Sequence, residues 1–150
     1  MKSYTAVFAL SLIAVSAPIS SNDSVYTCAT EQEIGFTSHG SKGWVGGELP
    51  IRDGNYLVKP LKDELKSDFK AFIAPSTTFY VTDLGSDLPD YFCETRAAAV
   101  QCSGLLAGEF NLNLLSGRFL KTNTLGYWTT DPWEKASIEI GTCTKIPRGE

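Results

Sequence analysis

The sequence predicts an all-β protein, an antiparallel barrel or barrel-like sandwich of about eight strands. Three observations carry this. Strand-like segments follow one another with turn signals at close spacing. The stretch GEFNLNLL (108–115) alternates apolar and polar residues with period two, as a half-buried strand does. Four cysteines, Cys28, Cys93, Cys102 and Cys143, follow an apolar leader, which reads as a disulfide framework in an oxidising compartment.

The leader is MKSYTAVFALSLIAVSAPISS (1–21). Lys2 supplies a positive start, and the apolar run over 5–15 is too short for an ordinary membrane helix. Residues 1–17 are therefore expected to be a signal peptide, with cleavage near 16–21 and a periplasmic or secreted product. A single β domain over 22–146 and a frayed tail over 147–150 should follow.

YTCATEQEIGFTS (26–38) is the first strand candidate and ends in the glycine-rich loop HGSKG (39–43). WVGGELPI (44–51) and NYLVK (55–59) flank Asp53–Gly54, a strong signal for a two-residue hairpin joining them. In LKDELKSDFKAF, Leu61, Leu65, Phe69 and Phe72 share one helical face, so one short helix is expected over 61–72. TTFYVTDLG (77–85), the stretch YFCETRAAAVQC (91–102), LAGEFNLNLL, RFLKTNTLGYW and KASIEIGTCTKI supply the later strands. Trp44 and Trp128 are read as core residues, with Trp133 covering a barrel end.

Three cysteine pairings are possible. Cys93–Cys102, closing a short loop, and Cys28–Cys143, joining the first and last strands, are favoured. The spacings contain no CxxC pair and the chain has one histidine, so no metal site or other cofactor is expected.

The stretch 108–128 poses the sharpest question. Either a two-residue turn or a four-residue loop, Leu114–Gly117, reverses the chain. Both place Phe110, Leu112 and Phe119 on one face, and both then turn Lys121 and Asn123 inward. In a dry core that is expensive. A bulge restoring ordinary alternation is the expected resolution; the alternative is a partly wet barrel with Lys121 and Asn123 near a ligand. The four-residue loop also leaves Leu114 and Leu115 at an exposed tip beside Arg118, a candidate partner contact.

The chain carries 13 basic against 17 acidic residues, and losing Lys2 makes it more acidic. That argues against nucleic acid and against adsorption to anionic membrane. His39 sits in a loop without a nucleophile elbow nearby, so it is read as solvated. Glu109, Glu139 and Asp131 could pair for glycoside hydrolysis only if the fold brought two together. Asp83, Asp87 and Asp90 suit a polar turn better than a calcium loop. Tyr127, Trp128 and Trp133, in GYWTTDPWEK, are aromatic binding candidates. No catalytic residue is assigned.

YTC (26–28), GF (35–36), Trp44, YLVKP (56–60), GEFNLN (108–113), SGRF (116–119), GYW (126–128) and IEIGTC (138–143) together resemble a group of small exported proteobacterial proteins. That resemblance implies compartment and fold and supplies no catalytic residue. A second resemblance is to periplasmic inhibitors of c-type lysozyme, small β-barrels with an aromatic-x-Cys near the mature start and a Cys in the last strand. Tyr26, Cys28 and Cys143 hold those places, and SGRF echoes the inhibitory loop. The expected function is a non-enzymatic, monomeric binding module for a small ligand or an envelope or extracellular protein. Inhibition of a cell-wall hydrolase is the runner-up, and envelope glycan hydrolysis comes third.

Overall fold

The computed structural model describes residues 24–38, 43–51, 54–124 and 135–147, without the Ser38 side chain. The leader, His39, Asp131, Tyr127, Trp128, Trp133 and the tail 148–150 lie outside the described residues.

Nine strands and one helix occur among them: β1 (Val25–Ser38), β2 (Trp44–Glu48), β3 (Asn55–Pro60), α1 (Asp63–Asp68), β4 (Thr77–Asp83), β5 (Tyr91–Arg96), β6 (Ala99–Gly104), β7 (Glu109–Asn113), β8 (Arg118–Asn123) and β9 (Lys135–Ile146). Strands β3 to β9 follow in order, each antiparallel to the next, and β9 pairs with β1. With β1–β3 pairing this closes an eight-stranded antiparallel barrel, and β2 is an extra strand.

The Asp53–Gly54 hairpin is a correction. Strands β2 and β3 do not pair with each other; both lie along the same edge of β1. The fourteen-residue β1 is long enough to serve β3 with Tyr26–Ala29 and β2 with Ile34–Ser38. Gly54 is buried instead, and its carbonyl accepts the Thr30 amide at 2.6 Å.

The helix is shorter than expected. Six residues are α-helical and none is buried, so α1 rides on the outside of the barrel. Phe69 anchors the excursion against Phe92, 5.3 Å between ring centres, while Phe72 stays exposed.

Alternation fills one end of the barrel with a dry core. Phe79, Phe110, Leu112, Val58, Val81 and Val100 are fully buried, and Phe110 stacks on Phe119 at 5.0 Å. Both favoured disulfides are present, and in each the two cysteines face one another directly across neighbouring strands. They point to an oxidising environment.

The β5–β6 hairpin turns on Ala97, a non-glycine residue at φ 53°. The left-handed region strains an L side chain. Ala97→Gly is therefore expected to raise stability by roughly 0.5 kcal/mol after the cost of glycine's freedom in the unfolded chain. Urea titration reads this directly.

Candidate functional site

One irregularity builds the site. The β1–β9 register shifts between Thr30 and Gln32, leaving Glu31 as a bulge. Before it, Tyr26, Cys28 and Thr30 point inward; after it, Glu33 and Gly35 do. Unbroken alternation would have sent Ile34 and Phe36 inward and Glu33 outward. The bulge reverses this: Glu33 is 2% exposed while Ile34 and Phe36 face solvent.

Gly141 makes room for the kink. It sits opposite Thr30, and a Cβ there would lie 2.1 Å from the Ala29 carbonyl oxygen and 2.7 Å from the Phe119 ring. Gly141→Ala must push backbone apart. It should cost about 2 kcal/mol, as overpacking does, seen as an earlier thermal transition.

The bulge expected in RFLKTNTLG is absent from the described part of it, Arg118–Asn123. Strand β8 runs in continuous register with β7 and β9, so Lys121 and Asn123 do face inward. The four-residue loop is the one formed. Leu112 pairs with Phe119, Gly117 adopts φ 68° and donates its amide to the Asn113 carbonyl, and Asn113 Oδ1 accepts the Leu115 and Ser116 amides. Leu114 is a further correction: it packs against the core, because the compact turn folds it back, and only Leu115 stands out at 86% exposure. Arg118 is exposed on the outer wall.

Above the dry core lies a polar layer. Lys121, Glu139 and Glu33 occupy one cross-strand row on β8, β9 and β1. Lys121 Nζ donates to Glu139 Oε1 at 3.0 Å and to the Tyr56 hydroxyl at 2.7 Å. Tyr56 and Thr30 both donate to Glu139 Oε2, at 2.5 and 3.0 Å. Lys121 also lies 4.5 Å from the centre of the Tyr56 ring. Tyr56 thus joins the two layers: its ring packs edge-on against Phe110 and Phe119, and its hydroxyl completes the polar triangle.

The electrostatics follow from these contacts. Burial pushes the Glu139 carboxyl up, but the Tyr56 hydroxyl and Lys121 outweigh it and hold the group below the usual carboxylate range. Burial and the adjoining Glu139 carboxylate drive the Tyr56 hydroxyl well above an ordinary phenol. At neutral pH Glu139 is therefore a carboxylate and Tyr56 a neutral phenol.

Beyond it, Lys135 Nζ approaches Glu33 Oε1 to 2.5 Å, an ion pair without hydrogen-bond alignment. Ser137 Oγ is buried on the same inward side of β9 and has no hydrogen-bond partner among the described residues. Glu33, Tyr56, Asp83, Lys121, Asn123, Lys135 and Glu139 line a cavity of about 210 Å³ at this end of the barrel.

No family model, curated protein or solved structure matches the chain. The site is read from its geometry.

Of the sequence candidates, Lys121 and Asn123 come together here with Glu139. Glu109 does not join them, since it faces outward on β7. Trp44 is a correction: it lies exposed on β2, outside the core. Asp83, Asp87 and Asp90 divide. Asp90 accepts the Asp83 amide at 3.1 Å and so ties the loop, while Asp83 lines the cavity opposite Tyr56 in register. Sequence reasoning missed Glu33, Tyr56, Thr30 and Lys135. Glu33 carried no signal, because the bulge that turns it inward has no sequence signature in ATEQEIG. Tyr56 read as one more strand aromatic.

Proposed function

We propose that the chain is an exported, non-enzymatic binding module whose barrel-end cavity takes a small polar ligand. The supporting observation is an inward-facing polar layer, with Glu33, Tyr56, Lys121 and Glu139 lining a cavity at the barrel end. Charged groups gathered inside a barrel, in a cavity they do not fill, suit the recognition of a polar molecule. The volume, about 210 Å³, lies below that of pockets for drug-sized molecules. It suits an amino acid or a single amino sugar. Three carboxylates and two ammonium groups line it, so the fitting ligand carries both donors and acceptors.

Hydrolysis by paired carboxylates fits less well, although Glu33 and Glu139 do face each other. That chemistry needs one carboxyl to keep its proton near neutral pH, and here each has a lysine against it, Lys135 on Glu33 and Lys121 on Glu139. The compact Leu114–Gly117 turn offers little to a hydrolase cleft, which weakens the inhibitor reading.

Chemical-shift mapping with a panel of amino acids and amino sugars tests the proposal. Saturable shifts at Asn123, Lys121 and Glu33, lost in Asn123→Leu, are expected. A panel that moves none of these resonances would refute it, and inhibition of a c-type lysozyme by the same protein would favour the runner-up.

A further inference from the structure

A second concavity lies on the outer wall and shares no residue with the barrel-end cavity. The segment between α1 and β4 stands beside β5, β6 and β7 and encloses with them a groove of about 490 Å³. Two contacts fix this segment in place. Phe69 packs on Phe92, and Ser76 Oγ donates to Glu94 Oε1 at 2.5 Å. Phe72 lines the groove from the same segment and is 68% exposed.

The floor is a row of planar polar side chains. Glu94, Gln101 and Asn111 stand opposite one another on β5, β6 and β7, all pointing outward. Arg96 and Glu109 border the row. Arg96 donates to Glu94 Oε2 at 3.2 Å, and Asn111 Nδ2 reaches Glu109 Oε2 at 3.4 Å. The Gln101 side chain makes no hydrogen bond among the described residues. The floor therefore keeps amide donors and acceptors open on neighbouring strands about 4.8 Å apart.

The lining selects among ligands. Two carboxylates against one guanidinium disfavour a nucleic acid or a phosphorylated peptide. Strands β5, β6 and β7 are each paired on both sides, so no edge is open for a peptide to extend the sheet. A polar row gives an amphipathic helix no apolar stripe, and one exposed ring does not make the aromatic groove of a polyproline site. A neutral chain of sugar rings meets every feature. Its hydroxyls donate to carboxylates and accept from amides, and the apolar face of a ring covers an aromatic side chain. The strand spacing is also close to the length of one ring in an extended glycan.

We propose that this groove binds a neutral, extended β-linked glycan, with Phe72 stacking on one ring and Gln101 and Asn111 bonding its hydroxyls. Gln101 and Asn111 also border a neighbouring concavity of about 570 Å³ that continues over β8 and β9. The fitting ligand is therefore a chain and not a single sugar.

Chemical-shift titration of the disulfide-bonded chain with cellotetraose, with the tetramer of N-acetylglucosamine and with glucose tests this. Saturable, millimolar-range shifts of the Gln101 and Asn111 side-chain amides are expected with at least one tetrasaccharide. Phe72→Ala and Gln101→Ala, both at exposed positions, should each weaken binding at least roughly fivefold, as loss of a central contact does. Leu115→Ser, exposed outside the groove, should leave it unchanged. Circular dichroism confirms that each variant is folded. Four outcomes overturn the proposal: no shift with either tetrasaccharide, an affinity that glucose alone equals, binding that both groove variants leave intact, or saturation by a proline-rich or phosphorylated peptide in place of the glycans.

Discussion

Replacing Cys28 and Cys143 together by serine is expected to lower stability by about 5 kcal/mol, against about 3 kcal/mol for the Cys93/Cys102 pair. The difference is one of loop length. The first disulfide spans 115 residues and the second only 9. A longer closed loop removes more conformations from the unfolded chain. The Cys28–Cys143 link also sits where β1 meets β9, the seam that closes the barrel. Urea unfolding of the two double variants should therefore rank them in that order. Equal losses would show that closure of the seam does not depend on the covalent link.

Lys121→Met is expected to cost about 3 kcal/mol, in the range found when one partner of a buried ion pair is removed. The side chains of Lys121 and Glu139 are 16% and 7% exposed, so water does not replace the lost ammonium group. The thermal midpoint should fall by roughly 10 °C for a chain of this size. A second change, Glu139→Leu in the same protein, should recover part of the loss, because an apolar pair leaves no buried charge alone. Additive losses would mean that Glu139 is stabilised by Tyr56 and Thr30 without Lys121.

The same network sets an acid limit. The folded-state carboxyl of Glu139 titrates below its unfolded counterpart. Its contribution is thus complete above the ordinary carboxylate range and disappears as pH falls through the lowered folded value. Tyr56 works in the opposite direction. Its raised hydroxyl contributes fully below the ordinary phenol range and is lost as pH rises beyond it. Stability measured against pH should lose its acid slope partly in Glu139→Gln and its alkaline slope partly in Tyr56→Phe.

Much of the fold was legible before any coordinates. Period-two alternation in GEFNLN, the disulfide-like cysteine placement and the turn residues around Ser116–Gly117 are local signals. Local signals report local geometry: which segments are extended, where they reverse and which side chains share a face. The inward course of Lys121 and Asn123 followed from the same parity. The expected bulge was wrong because it assumed a dry interior along the whole barrel.

The Asp53–Gly54 reading failed for a related reason. A good turn dipeptide specifies a reversal, not which strands pair, and β1 competed successfully for both flanks. Burial of Trp44 was misjudged because an extra strand outside the closed barrel has no core to enter.

By itself, then, the sequence determined the strand-rich class, the cysteine framework and the faces of β7 and β8. Only the tertiary structure decided that a one-residue bulge in β1 would exchange the two faces of its second half. Strand periodicity is two, so one extra residue inverts every side chain beyond it. That single shift places Glu33 beside Glu139 inside and Ile34 beside Ile138 outside. It creates the polar cavity and an apolar outer strip on opposite sides of one wall. No spacing rule in the sequence marks Glu31 as the residue left over. The bulge is set by the β1–β9 register, with Gly141 admitting the kinked backbone.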